Sequence, residues 1–204
     1  MTGQIYVISG PSGVGKSTII RELRNQCTGL GYSVSHTTRL PRDNEKDGIN
    51  YHFVDNDTFQ KMIRKNAFVE WAKVYDEFYG TSFSSLQEQM DQGLDVILDI
   101  DSQGAKNIKN HFQESTLIYI LPPSIEVLEK RLKGRATDDA KTIEARFRKA
   151  TKELQNCIWY DYVILNDDLA QAANELKSII ISHRCRSARM LPKIKDIIGD
   201  VSPA

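Results

Sequence analysis

The chain has 204 residues, 40% of them hydrophobic, with 27 Lys plus Arg balanced by 27 Asp plus Glu. That length can bury a sizeable core and suits one domain carrying one or two inserted subdomains. The even charge excludes a globally basic surface for nucleic acid or an anionic membrane, and no apolar run approaches a membrane span.

Residues 5–8 are apolar and largely β-branched, as in a buried parallel strand. They start almost at Met1, with no basic segment before them and no cleavage pattern after them, so no signal peptide is expected. Next comes G-x-x-x-x-G-K-S, spelled by Gly10, Gly15, Lys16 and Ser17, and then Ile19, Ile20 and Leu23 at helical spacing. A helix is expected from about Ser17 to Cys27, and Gly29 and Gly31 mark a loop. Residues 33–38 read as a short strand, 39–48 as a polar loop broken by Pro41 and Gly48, and 51–54 as another strand. Asp57-x-x-Gln60 resembles a capping box that opens a helix. Residues 68–75 look like a strand, Tyr79-Gly80-Thr81 like a turn, and Ser84-x-x-Gln87 like the cap of a helix ended by Gly93. These short elements, spanning 33–92, read as an inserted subdomain.

Residues 94–101 return to the buried-strand pattern and end in Asp99 and Asp101, and 116–121 form a third core strand stopped by Pro122 and Pro123. Ser124 can cap a helix carrying Val127, Leu128 and Leu132, and Thr137, Asp138 and Asp139 have the chemistry of a second helix start. Residues 161–166 are a fourth core strand, followed by a helix with Leu169, Ala172, Ala173, Leu176, Ile179, Ile180 and His183 on one face. A basic amphipathic tail begins at Arg184, able to pack on the core helices or to mediate self-association. Core strands alternating with helices imply an α/β fold with a parallel sheet and ligands at the carboxyl ends of its strands. Cys27, Cys157 and Cys185 are odd in number and far apart, which fits reduced cysteines in a cytoplasmic protein. The four histidines lack metal-ligand spacing, so structural or surface roles are expected for them.

The stretch Gly10, Pro11, Ser12, Gly13, Val14, Gly15, Lys16, Ser17 and Thr18 has the strand–loop–helix setting of a phosphate-binding loop. Its glycines let backbone N–H groups turn inward around a polyphosphate, Lys16 would reach the β- and γ-phosphates, and Ser17 would hold Mg²⁺. Three further groups narrow the chemistry. Ser35, Arg39 and Arg42, with Tyr51 near, can fork a phosphate or form a solvated basic loop. Glu70, between Val69 and Trp71, is an acceptor-only group that matches the adjacent N1–H and N2–H₂ donors of guanine, with Ser35 and Thr81 able to donate to O6. A strand glutamate can equally be a salt-bridge partner. Asp99 and Asp101 share one face of a strand end, where carboxylates orient Mg²⁺ through water, hold an acceptor or cap a helix.

Over nearly its whole length the chain resembles the bacterial guanylate kinases, ATP:GMP phosphotransferases. The resemblance rests on Gly10 to Ser17, on residues 33–42, 48–54, 68–72, 79–81 and 98–104, and on Arg131-x-x-x-Arg135. It implies a single domain over 1–204 in three parts. These are a three-layer core (1–32, 93–124 and 158–204), an α+β GMP-binding insert (33–92) and a helical lid (125–157). It further implies that Ser35, Arg39, Arg42, Tyr51, Glu70, Tyr79, Thr81, Asp99 and Asp101 line the GMP side. Lys16 would serve MgATP, with Ser17 and, through a water, Asp101 toward the metal. Arg131, Arg135 and Arg146 would serve ATP and the transferring phosphoryl group, although any one of them can be a solvated helix-face arginine. The small molecules ATP and GMP are then the partners, in the cytoplasm, with no nucleic acid or membrane. The sequence departs from the family pattern at Asp43-Asn44, where Pro-Gly is usual, and at Glu77-Phe78, where Asn-Tyr is usual. Guanylate-kinase-like domains also occur in scaffold proteins as peptide binders, but those carry damaged nucleotide sites. A GTPase would need an N-K-x-D motif, which the chain lacks.

Overall fold

A computed structural model describes residues 3–74, 76–134 and 140–199. In chain order the elements are β1 (Ile5–Ser9), α1 (Lys16–Gln26), β2 (Leu30–Tyr32), β3 (His36–Thr37) and β4 (His52–Phe53). Then come α2 (Asn56–Arg64), β5 (Phe68–Val74), β6 (Glu77–Ser82), α3 (Phe83–Asp91), β7 (Asp95–Asp99) and α4 (Ser102–His111). The chain continues with β8 (Thr116–Leu121), α5 (Ile125–Lys133), α6 (Ala140–Glu153), β9 (Tyr162–Leu165) and α7 (Leu169–Arg184). The expected helix start at Thr137, Asp138 and Asp139 lies outside the described residues.

Five parallel strands form one sheet in the order β2-β7-β1-β8-β9. Alternate residues of β1 face opposite ways, Tyr6 and Ile8 into the layer beneath α1 and α7, Ile5 and Val7 into the layer with α3 and α4. Both faces are covered, so the central strands are apolar throughout. A second sheet, β4-β3-β6-β5, draws all its strands from residues 36–82. Its aromatic side stacks Phe59 of α2 on Phe68 and Phe78, with ring centroids 4.5 and 5.4 Å apart.

Three local expectations are revised. Residues 30–32 form an edge strand rather than a loop; Gly31 is small because Gln89 of α3 packs against it, where a Cβ would stand 1.8 Å from Oε1. Tyr79, Gly80 and Thr81 lie inside β6, and Gly80 leaves room for the Phe68 ring, 2.9 Å from a would-be Cβ. The caps fall two residues earlier than their sequence patterns: Asp55 accepts from the Thr58 amide and Ser82 from the Ser85 amide. Glu77 finds a partner in the Thr38 hydroxyl at 2.6 Å, and the Phe78 amide donates to the same oxygen at 2.9 Å.

At the amino ends of the parallel strands, Asp95 is buried at the start of β7. It accepts from Arg184 Nε at 2.7 Å, Arg189 at 2.9 Å and the Gln4 amide at 2.9 Å. Burial alone would raise its carboxyl; these donors outweigh burial and hold it below its ordinary value. The basic tail is thus tied to the core through one carboxylate. Asp95→Asn should cost about 3 kcal/mol by leaving two arginines without their counter-charge, lowering the melting temperature by roughly 6–10 °C. The loss should shrink as pH falls below the ordinary aspartate value of 3.8, where the native carboxylate also takes up a proton. Melting curves at neutral and acid pH read both effects.

Candidate active site

β1 ends at Ser9, and the chain turns into α1 through Gly10, Gly13 and Gly15 at φ 153, 90 and 94°. Only glycine adopts such angles readily. Gly10 also lies flush against β8, where a Cβ would stand 2.4 Å from the Ile120 carbonyl oxygen. Gly15 caps α1 without a side-chain bond, and the first turn holds no acidic residue, so the helix N-terminus is open to an anion. Lys16 bends back over the loop, donating to the Gly10 carbonyl at 2.8 Å and standing 3.9 Å from Asp99 Oδ1.

This loop forms one wall of a cleft of about 460 Å³. From it come Gly10, Pro11, Ser12, Gly13, Gly15, Lys16, Ser17 and Thr18. The second sheet and its loops bring Ser35, Tyr51, Glu70 and Tyr79, and the end of β7 brings Asp99 and Asp101. Helix α6 closes the rim with Arg146, Lys149 and Glu153. Burial pushes the Asp99 carboxyl up, against the Lys16 charge and the Ser17 hydroxyl. Asp101 commits one oxygen to the Gly104 amide at 2.8 Å as the cap of α4. Ser17, Asp99 and Asp101 offer oxygen donors only, the chemistry of a hard cation such as Mg²⁺. Among the described residues no group of three or more His, Cys, Asp or Glu can cage a metal. An ion here would take most of its ligands from polyphosphate and water.

Glu70 is the deepest charged group on the wall, 6% exposed. The β5–β6 ladder shifts register between Phe68 and Glu70, which brings Glu70 opposite Thr81. The Thr81 hydroxyl donates to Glu70 Oε1 at 2.7 Å. Burial pushes this carboxyl up to about 7; the Thr81 bond opposes the rise and the Asp101 charge adds to it. Gly104 of α4 is so close that a Cβ there would stand 2.7 Å from Glu70 Oε2.

The remaining expected residues stand behind or beside the cleft. Thr81 lies behind Glu70. One terminal nitrogen of Arg39 donates to both oxygens of Glu45 at 2.9 Å, and the guanidinium lies 5.4 Å over the Tyr51 ring, which is 5.9 Å from Tyr79. Arg42 is exposed, and its amide donates to the same Glu45 carboxylate at 2.9 Å, which closes the loop around Asp43 and Asn44. Val14 is fully buried beneath the phosphate loop. Arg131 stands behind that loop, donating to the Asn166 carbonyl at 3.0 Å and the Val14 carbonyl at 3.4 Å. Arg135 lies outside the described residues. The sequence reading missed Glu45, Lys149, Glu153 and Asn166. The spacing of 146, 149 and 153 marks one helical face and could have found the α6 pair.

A family model described as guanylate kinase matches residues 2–183. The chain is 45% identical over 197 residues to the guanylate kinase of Geobacter sulfurreducens, covering 97% of each chain. It is 45% identical over 188 residues to that of Syntrophotalea carbinolica, covering 92% of this chain and 90% of the relative. The crystal structure of guanylate kinase from Anaplasma phagocytophilum is similar with a TM-score of 0.79 at 30% identity, over 99% of this chain and 98% of that one. The SH3-kinase fragment of tight junction protein 3 has a TM-score of 0.50 at 10% identity, over 91% of this chain and 59% of that one, a likeness of fold alone.

Because the Glu70 carboxyl titrates near 7 in the fold, above its ordinary 4.5, the stability tied to its neutral form is complete below pH 4.5 and lost as pH rises through 7. Glu70→Gln should therefore gain about 3 kcal/mol relative to the unaltered protein between pH 4.5 and pH 8. Urea unfolding at the two pH values measures this, and a pH-independent difference would contradict it.

Proposed function

The chain belongs to the guanylate kinase family and phosphorylates GMP to GDP with ATP, and from that premise we propose how its cleft divides the work. Residues 33–92 hold GMP, residues 125–157 form a lid, and the remainder is the core that carries the phosphate loop. The ATP polyphosphate lies along residues 10–18, with Lys16 at the β- and γ-phosphates. Ser17, and Asp101 through a water, would hold Mg²⁺, which when bound neutralises charge along the polyphosphate.

On the acceptor side, Ser35, Arg39, Arg42, Tyr51 and Tyr79 receive the GMP phosphate, and Asp99 and Asp101 border it. That phosphate has a second pKa near 6 by analogy with phosphorylated side chains, so it is already anionic at neutral pH and needs no general base. The residues of the cleft then have two tasks, aligning two polyanions and offsetting their repulsion. Arg146 faces the space between donor and acceptor, and a closed lid excludes water that would otherwise hydrolyse ATP.

The observation that carries the substrate assignment is Glu70, buried on the cleft wall with one oxygen engaged by Thr81 and the other turned toward Gly104. An ionised Glu70 accepts from N1–H and N2–H₂ of guanine, whereas adenine presents no such donor pair and would leave the carboxylate unpaired. dGMP carries the same base and is an expected acceptor. A cytoplasmic setting agrees with three unpaired cysteines, and among the described residues no helix is long and apolar enough to cross a membrane.

ADP formation from MgATP, assayed with GMP, dGMP, AMP, CMP, UMP and dTMP, should occur with GMP and dGMP alone, and Lys16→Ala should lower kcat about a hundredfold or more with GMP affinity nearly intact. Turnover of AMP would overturn the role given to Glu70. Gly104→Ala should raise the KM for GMP about tenfold and leave that for ATP unchanged, because the new methyl group displaces the Glu70 carboxylate. Steady-state kinetics with each substrate varied in turn decide it.

A further inference from the structure

The back of the phosphate loop holds a contact that the division of labour above leaves unused. The Val14 carbonyl accepts from Asn166 Nδ2 at 2.6 Å and from Arg131 at 3.4 Å, and a second Arg131 nitrogen donates to the Asn166 carbonyl at 3.0 Å. Asn166 is 5% exposed, and its own amide is fixed to the Leu121 carbonyl at 2.8 Å, at the end of β8. Its amide group lies so close beneath the loop that a Cβ on Gly15 would stand 2.5 Å from Nδ2.

Val14 C=O and Gly15 N–H belong to one peptide unit, which is planar and trans, so the two bonds point in opposite directions. A carbonyl drawn outward toward Asn166 and Arg131 therefore directs the Gly15 N–H inward, to the side of the loop that lines the cleft. Peptides in glycine-rich segments flip easily because φ is nearly free there. A peptide held by two donors does not. We propose that Asn166 and Arg131 are positioning residues that clamp the Val14–Gly15 peptide in its anion-receiving orientation, setting the affinity of the loop for the ATP polyphosphate from behind. Arg131 comes from α5 and Asn166 from the residue after β9, so the clamp also ties two separate segments to the loop.

This inference rests on the phosphate loop as the ATP site, and its test uses a ligand without a base. Binding of inorganic tripolyphosphate, ADP and GMP is measured by calorimetry on the full chain and on Asn166→Ala and Asn166→Asp. Both variants should bind tripolyphosphate and ADP about tenfold more weakly or worse, with GMP affinity within twofold. The Gly15 amide resonance should shift in the absence of any ligand. Weakened ADP binding with unchanged tripolyphosphate binding would overturn the clamp and make Asn166 a contact to the base. Unchanged binding of both, or no tripolyphosphate binding to the unaltered protein, would also overturn it. Should the Asn166 variants fail to fold, Arg131→Gln, on a half-buried helix position, must show the same selective loss of tripolyphosphate affinity. Because no turnover is measured, failure of the clamp stays separate from failure of the GMP assignment.

Discussion

β1 lies between β7 and β8 in a parallel ladder with Ile8 level with Asp99 and Ser9 level with Tyr119, and the whole cleft depends on that pairing. Parallel neighbours end at the same edge of the sheet, so the phosphate loop after β1 and the carboxylates after β7 emerge side by side. The pairing costs little to maintain because both faces of β1 are covered by apolar side chains. Shift β1 by one residue and Tyr6 and Ile8 would change layers, Asp99 would move away from Lys16, and Gly10 would no longer lie against Ile120. Core packing and phosphate geometry are therefore one constraint.

Charge in the cleft is arranged against the repulsion of two polyanions. Lys16, Arg146 and Lys149 face it, and Asp99, Asp101, Glu70 and Glu153 face it too. Cations alone would leave a field with no counterweight in the empty enzyme. The carboxylates supply that counterweight at the cost of burial, seen in the raised carboxyls of Asp99, Glu70 and Glu153. Arg39 follows the same rule with Glu45, whose two oxygens both accept from one terminal nitrogen while the other donates to the Leu40 carbonyl. An arriving phosphate thus meets an arginine already held in shape rather than a freely rotating one.

The core was legible in the sequence because strands covered on both faces become unbroken apolar runs, as in 5–8, 96–98 and 117–120. The phosphate loop was legible because its function is contained in contiguous residues. Short elements were less so. Gly31 and Gly80 were read as loop and turn, whereas each is small to admit a side chain from elsewhere, Gln89 in one case and Phe68 in the other. Asp55 with Asp57, and Ser82 with Ser84, offer two candidate caps each, and only the backbone path selects between them. In the site, Glu70 was legible on chemistry, but the Thr81 hydroxyl, expected to donate to guanine O6, is buried and donates to Glu70 instead. Asn166 could not be found, since its partner Val14 is 152 residues away and nothing local marks it.

The contact between Gly104 and Glu70 also bears on how this site can change over time. Glycine is the smallest residue, so position 104 has no further room to yield. Any substitution at 70 that lengthens or branches the side chain meets the backbone of α4, and any substitution at 104 meets the carboxylate. An isosteric change such as Glu70→Gln escapes this constraint, so drift toward a different base is channelled through replacements that keep the size of residue 70, while larger ones need 70, 104 and the start of α4 that Asp101 caps to move together.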